Sequence, residues 1–140
     1  MEIDPRGPRL AAAITCVVLA VVLLTGSGVL LAIQALVFAI GAIAGLRYAP
    51  YGALYRVLIR PRLGPPASTE PEAPPRFAQG VGMVFTIVGA VGYLSGLTAL
   101  GIVFTALALA AAFANAVFDY CLGCQMYLYI QRVRPSHGRL

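Results

Sequence analysis

Apolar residues fall into four runs along this chain, at residues 10–24, 29–46, 77–94 and 97–118, and polar residues mark the intervals between them. A helix that crosses a bilayer takes roughly 20 mainly apolar residues. Each run is long enough, or nearly so. The first is short alone, and Thr25 to Gly28 can form its outer turn. The pattern predicts an all-α membrane protein with four transmembrane helices. A cleaved signal peptide is the competing reading of the first run. Glu2 and Asp4 precede it and no small-x-small cleavage site stands out, so a retained helix is expected.

The intervals suggest a duplicated unit. Pro8-Arg9-Leu10-Ala11 opens one half and Pro75-Arg76-Phe77-Ala78 opens the other. Leu54-Tyr55 with Arg60 and Arg62 closes the first, and Met126-Tyr127 with Arg132 and Arg134 closes the second. Each half reads as helix, uncharged turn, helix, then an aromatic and basic segment. An even number of crossings makes the two two-helix repeats parallel, related by an axis along the membrane normal. The expected organisation is a single membrane domain over 1–140, with repeat one at 8–62, a linker at 61–75 and repeat two at 75–134.

Each repeat is followed by a short amphipathic helix. In residues 51–60, Tyr51, Leu54, Tyr55 and Leu58 share one helical face while Arg56 and Arg60 point elsewhere, which suits the membrane interface. Pro50 fits the first turn of that helix. Residues 121–132 are the counterpart in the second half. The segment 61–75 holds six prolines and is predicted to be a semi-rigid cytoplasmic linker without regular helix. Within the spans, Gly41-xxx-Gly45, Gly92-xxx-Gly96 and the stripe Ala108, Ala112, Ala116 are small-residue faces for close helix packing, within one chain or between copies. Gln34 and Asn115 are expected to make interhelical hydrogen bonds.

Composition agrees with lipid as the main solvent: 60% hydrophobic residues, 11% charged residues and a mean hydropathy of +0.87. All ten basic residues are arginine. They lie before the first run, between the second and third, and after the fourth, whereas the two short turns carry none. By the positive-inside rule, both termini and the central loop face the cytoplasm, across the inner (plasma) membrane. The net charge of +5 is accounted for by topology and anionic lipid, with no nucleic-acid module in the sequence.

Candidate chemistry is concentrated at Cys121-Leu122-Gly123-Cys124, where the fourth run ends. Side chains at i and i+3 of a helix share a face, with Cβ atoms about 5–6 Å apart. Closing a disulfide there needs a local turn or a helix start, which Gly123 would ease. Asp119 could cap a new helix beginning at Tyr120. Cys121 would then sit where the helix dipole favours thiolate, with Asp119 as a modulator. Inert thiols, and a boundary carboxylate at Asp119, are the bland alternatives. A cytosolic CxxC nevertheless points to redox or metal chemistry rather than a structural disulfide. With His137 as the one histidine, a four-ligand metal site would need a second copy of the chain. Cys16 is core packing first and a resolving thiol second. The residues assign no metal ligands within one chain and demand no cofactor, and they leave open whether the protein is an enzyme.

Several segments together resemble a family of small actinobacterial membrane proteins, domain of unknown function 4395. They are Ile3-Asp4-Pro5-Arg6-Gly7-Pro8-Arg9, Arg60-Pro61-Arg62-Leu63-Gly64-Pro65-Pro66, Pro74-Pro75-Arg76-Phe77-Ala78-Gln79 and Phe118-Asp119-Tyr120-Cys121-Leu122-Gly123-Cys124. The resemblance implies a four-span protein ending in a CxGC segment, near thioredoxin-like and sulfurtransferase partners. It draws attention to Asp4-Pro5-Arg6, which could fold near Cys121 and bring a guanidinium to a thiolate. The expected function is an accessory in cytosolic thiol redox or sulfur relay, with Cys121 attacking and Cys124 resolving. The alternatives are a structural or assembly subunit, including a homo-oligomer, with incidental thiols, and a metal site formed across a dimer.

Overall fold

The computed structural model describes residues 2–4, 6–65, 69–118 and 120–133. The elements in chain order are β1 (Glu2–Ile3), α1 (Arg6–Thr25), α2 (Gly28–Ala39) with a π turn (Ile40–Ala44), and α3 (Pro50–Leu54). A second π turn (Tyr55–Ile59) carries α3 on into α4 (Arg60–Leu63) as one helical segment. Then come β2 (Glu70–Pro71), α5 (Ala73–Leu94), α6 (Thr98–Phe118) and α7 (Leu122–Val133). The four apolar runs form helices where the hydropathy pattern places them. α1, α5 and α6 are long and apolar enough to cross a membrane, and the apolar helix Gly28–Ala44 is shorter.

Local chemistry sets the breaks. The Ser27 hydroxyl accepts the Leu30 N–H at 3.1 Å and so starts α2. Pro50 occupies the first turn of α3, where its missing N–H costs no helical bond. Of the two glycine pairs read as packing motifs, only one member of each packs. A Cβ on Gly41 would come within 2.9 Å of Gln79 Oε1, and one on Gly92 within 2.7 Å of the Gly101 nitrogen. Gly45 and Gly96 instead adopt φ of 117° and 89° and end their helices.

In the bundle, α1 packs on α6, α2 on α5, and α5 on α6, while α1 and α2 share a smaller contact. The core is small: Leu19 and Val22 from α1, Leu31 from α2, Ala90 from α5 and Ala108 from α6. Each of these helices also buries a polar side chain, namely Thr15, Gln34, Thr86 and Thr105. The outside is the apolar part, with Leu24 86% exposed and Ile43 70% exposed. Such an inverted distribution suits lipid, where packing and hydrogen bonds hold helices together rather than burial of apolar area.

Two arginines brace the ends of the shorter-range hairpins to one another. Arg9, in the first turns of α1, donates from Nε to the Ala116 carbonyl at 3.2 Å and from Nη2 to the Val117 carbonyl at 3.4 Å. Arg76, in the first turn of α5, donates likewise to the Ala42 and Ile43 carbonyls at 2.8 and 2.6 Å. Each guanidinium therefore caps the last carbonyls of a helix in the other half of the chain.

The aromatic and basic segment of the first half departs from a simple surface helix. Tyr55 is buried and Tyr51 half-buried, whereas Leu54 and Leu58 stay exposed. The expected common face is divided: the two tyrosines turn inward and the two leucines outward. Tyr51 donates its hydroxyl proton to Gln34 Oε1 at 2.8 Å, which gives Gln34 its interhelical bond. Burial pushes the Tyr51 hydroxyl above its ordinary pKa. Asn115 has no side-chain hydrogen bond among the described residues.

The stretch 61–75 is likewise more anchored than a spacer. Its first residues belong to α4, Glu70–Pro71 pairs antiparallel with Glu2–Ile3, and its last residues open α5. Prolines in first turns are compatible with helix, which the count of prolines alone obscures. The N-terminus is fixed by Asp4. Its carboxylate accepts the Arg6 backbone N–H at 3.0 Å, the Arg6 guanidinium at 2.9 Å and the Tyr55 hydroxyl at 2.8 Å, with Arg60 Nε 3.9 Å away. Arg6 also donates to the Gly64 carbonyl at 2.8 Å. Partial burial pushes the Asp4 carboxyl up, but the bonds from Arg6 and Tyr55 outweigh it and bring its pKa down to about 2.

A carboxylate with a depressed folded pKa stabilises the fold above its unfolded pKa and loses that effect as pH falls. Asp4 should therefore contribute fully above about pH 4 and progressively less toward its folded pKa of about 2. Asp4→Asn should cost about 1–3 kcal/mol at neutral pH by weakening several charged hydrogen bonds. Thermal unfolding in detergent across this pH range checks both, since the variant should lack the wild-type acid-sensitive component.

Candidate functional site

The fourth apolar helix does not run through the cysteines. α6 stops at Phe118, the Tyr120 N–H turns back to the Ala114 carbonyl at 3.1 Å, and α7 starts at Leu122. The new helix thus begins two residues later than the sequence suggests, and Cys121 stands directly before its first turn. Cys121 Sγ accepts the Cys124 backbone N–H at 3.1 Å, taking the role of an N-cap acceptor. Asp119, the candidate cap and modulator, lies outside the described residues.

The break brings the pair together. Cys121 and Cys124 have their sulfurs within bonding distance, as a disulfide, with Cα atoms 5.1 Å apart. Two fully helical residues at this spacing would hold their side chains too far apart for relaxed closure. Because Cys121 is outside the helix, its sulfur can swing across the first turn of α7.

Gly123 acts differently from the expected turn residue. Its φ is not in the left-handed region, and it lies within α7. A Cβ added there would come 2.5 Å from Ala78 Cβ, so the glycine lets α7 lie directly on α5. One turn further, Tyr127 packs on Phe77 with ring centroids 5.6 Å apart. Cys121, Gly123, Cys124 and Tyr127 are half-buried, whereas Leu122, Met126, Tyr129, Ile130 and Val133 are exposed on α7. The pair therefore sits at the edge of the bundle, seated on α5 and open on its other side.

The remaining candidates fall elsewhere. Cys16 is a free thiol lining a groove with Ala106, Leu109, Ala110 and Phe113. Phe113 precedes the end of α6 by about 7 Å at 1.5 Å per residue, so Cys16 lies alongside the span and not at the pair. The hydrogen bonds of the Arg6 side chain go to Asp4 and Gly64. The guanidinium that reaches the end of α6 is that of Arg9, bonded to Ala116 and Val117. Among the described residues no three His, Cys, Asp or Glu side chains group as metal ligands. A metal at the pair would take further ligands from a second copy.

The arrangement offers a sulfur at a helix N-terminus with a backbone N–H aimed at it. That environment favours thiolate over thiol when the bond is reduced. The seat on Ala78 and Phe77 escapes sequence reasoning, although Gly123 between the cysteines carries its signal.

Three long apolar helices and a shorter fourth define a multi-pass α-helical membrane protein with a close cysteine pair after its last apolar helix. The chain belongs to the family Domain of unknown function (DUF4395), whose model matches residues 3–132. No curated protein and no solved structure matches it.

Gly123→Val should lift α7 from α5 at an overpacking cost of about 1–3 kcal/mol. Limited proteolysis should then cut within residues 122–133 faster than in wild type, while the cysteines still form their disulfide. Unchanged proteolysis would mean that α7 is not held through Gly123.

Proposed function

We propose that the protein is a membrane-tethered accessory of cytosolic thiol redox or sulfur relay, in which Cys121 attacks and Cys124 resolves. The observation that carries this reading is the Cys121 sulfur at the N-terminus of α7, accepting the Cys124 N–H at 3.1 Å. In the reduced protein the same N–H and the helix dipole would hold Cys121 as thiolate. Cys124, inside the helix and one turn on, would keep its proton until a mixed disulfide forms.

The exchange proceeds in two steps. Cys121 thiolate attacks one sulfur of a partner disulfide, forming a mixed disulfide and releasing the partner's other sulfur as thiolate. Cys124 then loses its proton and attacks the Cys121 sulfur, closing the Cys121–Cys124 disulfide and releasing the partner's second thiol. Two electrons pass to the partner. For sulfur relay, Cys121 thiolate takes the outer sulfur of a partner persulfide and leaves the partner as thiolate. The fitting partners are soluble thioredoxin-like or sulfurtransferase proteins, with lipid around the spans.

The membrane arrangement belongs to the same proposal. Gly28–Ala44 is the second of four spans, and the two halves are parallel repeats. The paired roles of Arg9 and Arg76 support the repeat, because each caps the second helix of the opposite half. The arginine distribution supports both termini and the cysteine pair on the cytoplasmic side of the plasma membrane. The reducing cytosol would make the dithiol the resting form.

In purified Cys124→Ser protein, Cys121 should alkylate with an apparent pKa below the ordinary value of about 8.5 and should trap a mixed disulfide with its partner. Cys121→Ser should trap none. Redox titration of the wild type in detergent should give one two-electron transition in the cytosolic range, about −220 to −320 mV. A disulfide that interconverts only in denaturant, or trapping that persists without Cys121, would sink the reading. Thiol labelling of inverted vesicles tests the side of the membrane.

A further inference from the structure

Two open apolar grooves run along equivalent helix contacts. One, of about 500 Å³, lies between α5 and the end of α2 and is lined by Ala42, Ala73, Arg76, Phe77, Gly80 and Val84. The other, of about 530 Å³, lies between α1 and α6 and is lined by Cys16, Val17, Ala20, Leu109, Ala110 and Phe113. Each groove leads toward a guanidinium. Arg76 forms part of the first, and Arg9 bonds to Ala116, about one turn beyond Phe113 of the second.

We propose that these grooves are seats for anionic phospholipids, with an acyl chain along each groove and the phosphate on Arg76 or Arg9. The two guanidiniums suit this role by charge and by geometry. Each uses Nε and Nη2 on neutral carbonyls, which leaves most of its five donors without a partner among the described residues. Neither has a carboxylate partner among the described residues, where the ion pairs are those of Asp4 with Arg6 and Arg60. Carbonyl bonds hold each guanidinium in place, so a headgroup meets a fixed donor rather than a mobile side chain. A phosphate accepts such a planar donor through two oxygens. A chain in the groove meets mainly aliphatic and aromatic side chains, with the Cys16 thiol in the second. The inference is independent of the thiol reading and holds for either orientation in the membrane.

The test is native mass spectrometry of the full chain after exchange into phosphatidylglycerol or phosphatidylcholine of matched acyl chains. Two phosphatidylglycerol molecules should be retained per chain, and phosphatidylcholine should not. Arg76→Gln and Arg9→Gln should each weaken one seat about fivefold, the worth of one arginine at an anionic surface. Gly80→Phe and Ala110→Phe should block one seat each by filling the groove while leaving both arginines in place. A Cβ at Gly80 meets only Ala42 Cβ, at 3.8 Å, so there is room for the larger side chain. Equal retention of the two lipids overturns the proposal, as does undiminished phosphatidylglycerol retention in the folded double Gln variant. If the Gln variants do not fold, undiminished retention by both groove-filling variants overturns it.

Discussion

Every helix end leaves its last carbonyls without intrahelical donors. α2 and α6 meet this problem at the same end of the bundle, and two arginines answer it. Arg76 bonds the carbonyls of Ala42 and Ile43, and Arg9 bonds those of Ala116 and Val117. Because each arginine belongs to the opposite half, satisfying the helix ends also fixes the halves to each other. The charged donor further complements the negative end of the helix dipole. The apolar core, five buried side chains with a few neighbours, is small for a bundle of this length, so these end contacts carry unusual weight.

The cysteine pair depends on the same turn of α5. Arg76, Phe77 and Ala78 are consecutive: the first holds the end of α2, the second packs on Tyr127, and the third receives Gly123. A shift of α5 relative to α2 would therefore move the floor beneath α7. Arg9 does the corresponding work above the pair, since it closes α6 at Ala116 and Val117 just before the chain turns toward Cys121. The disulfide is placed by the ending of one helix and the seating of the next, with the Cys121 sulfur capping the new start.

Much of this was legible in the apolar runs, because membrane spans are long and their turns are marked by Gly and Ser. The Cys121-xx-Cys124 spacing and its position after the fourth run were also plain. What escaped was long-range or depended on neighbours. Asp4 and Tyr55 are 51 residues apart, and nothing in either local pattern announces their hydrogen bond. Gly41 and Gly45 read alike as a small-residue pair, yet one packs on Gln79 and the other turns with φ 117°. Gly123 read as a turn residue because it stands between two cysteines. The close approach of Ala78 that requires it comes from another helix. The helix start at Leu122 was displaced by two residues because a cysteine sulfur, rather than Asp or Ser, takes the cap position.

The helical segments that follow α2 and α6 are held differently. In the first half, Tyr51 and Tyr55 turn inward to Gln34 and Asp4, so a polar network locks the segment to the bundle. In the second, α7 has no fully buried residue and rests on α5 through Gly123, Ala78 and an aromatic pair. Aligning Leu54-Tyr55 with Met126-Tyr127 puts Ala49 and Gly52 where Cys121 and Cys124 stand. The cysteines at that position are thus specific to the second half. If the pair cycles as proposed, the start of α7 has to yield when the disulfide opens and closes. Contacts of van der Waals type tolerate that movement better than a buried ion pair, whose breaking leaves charges unpaired.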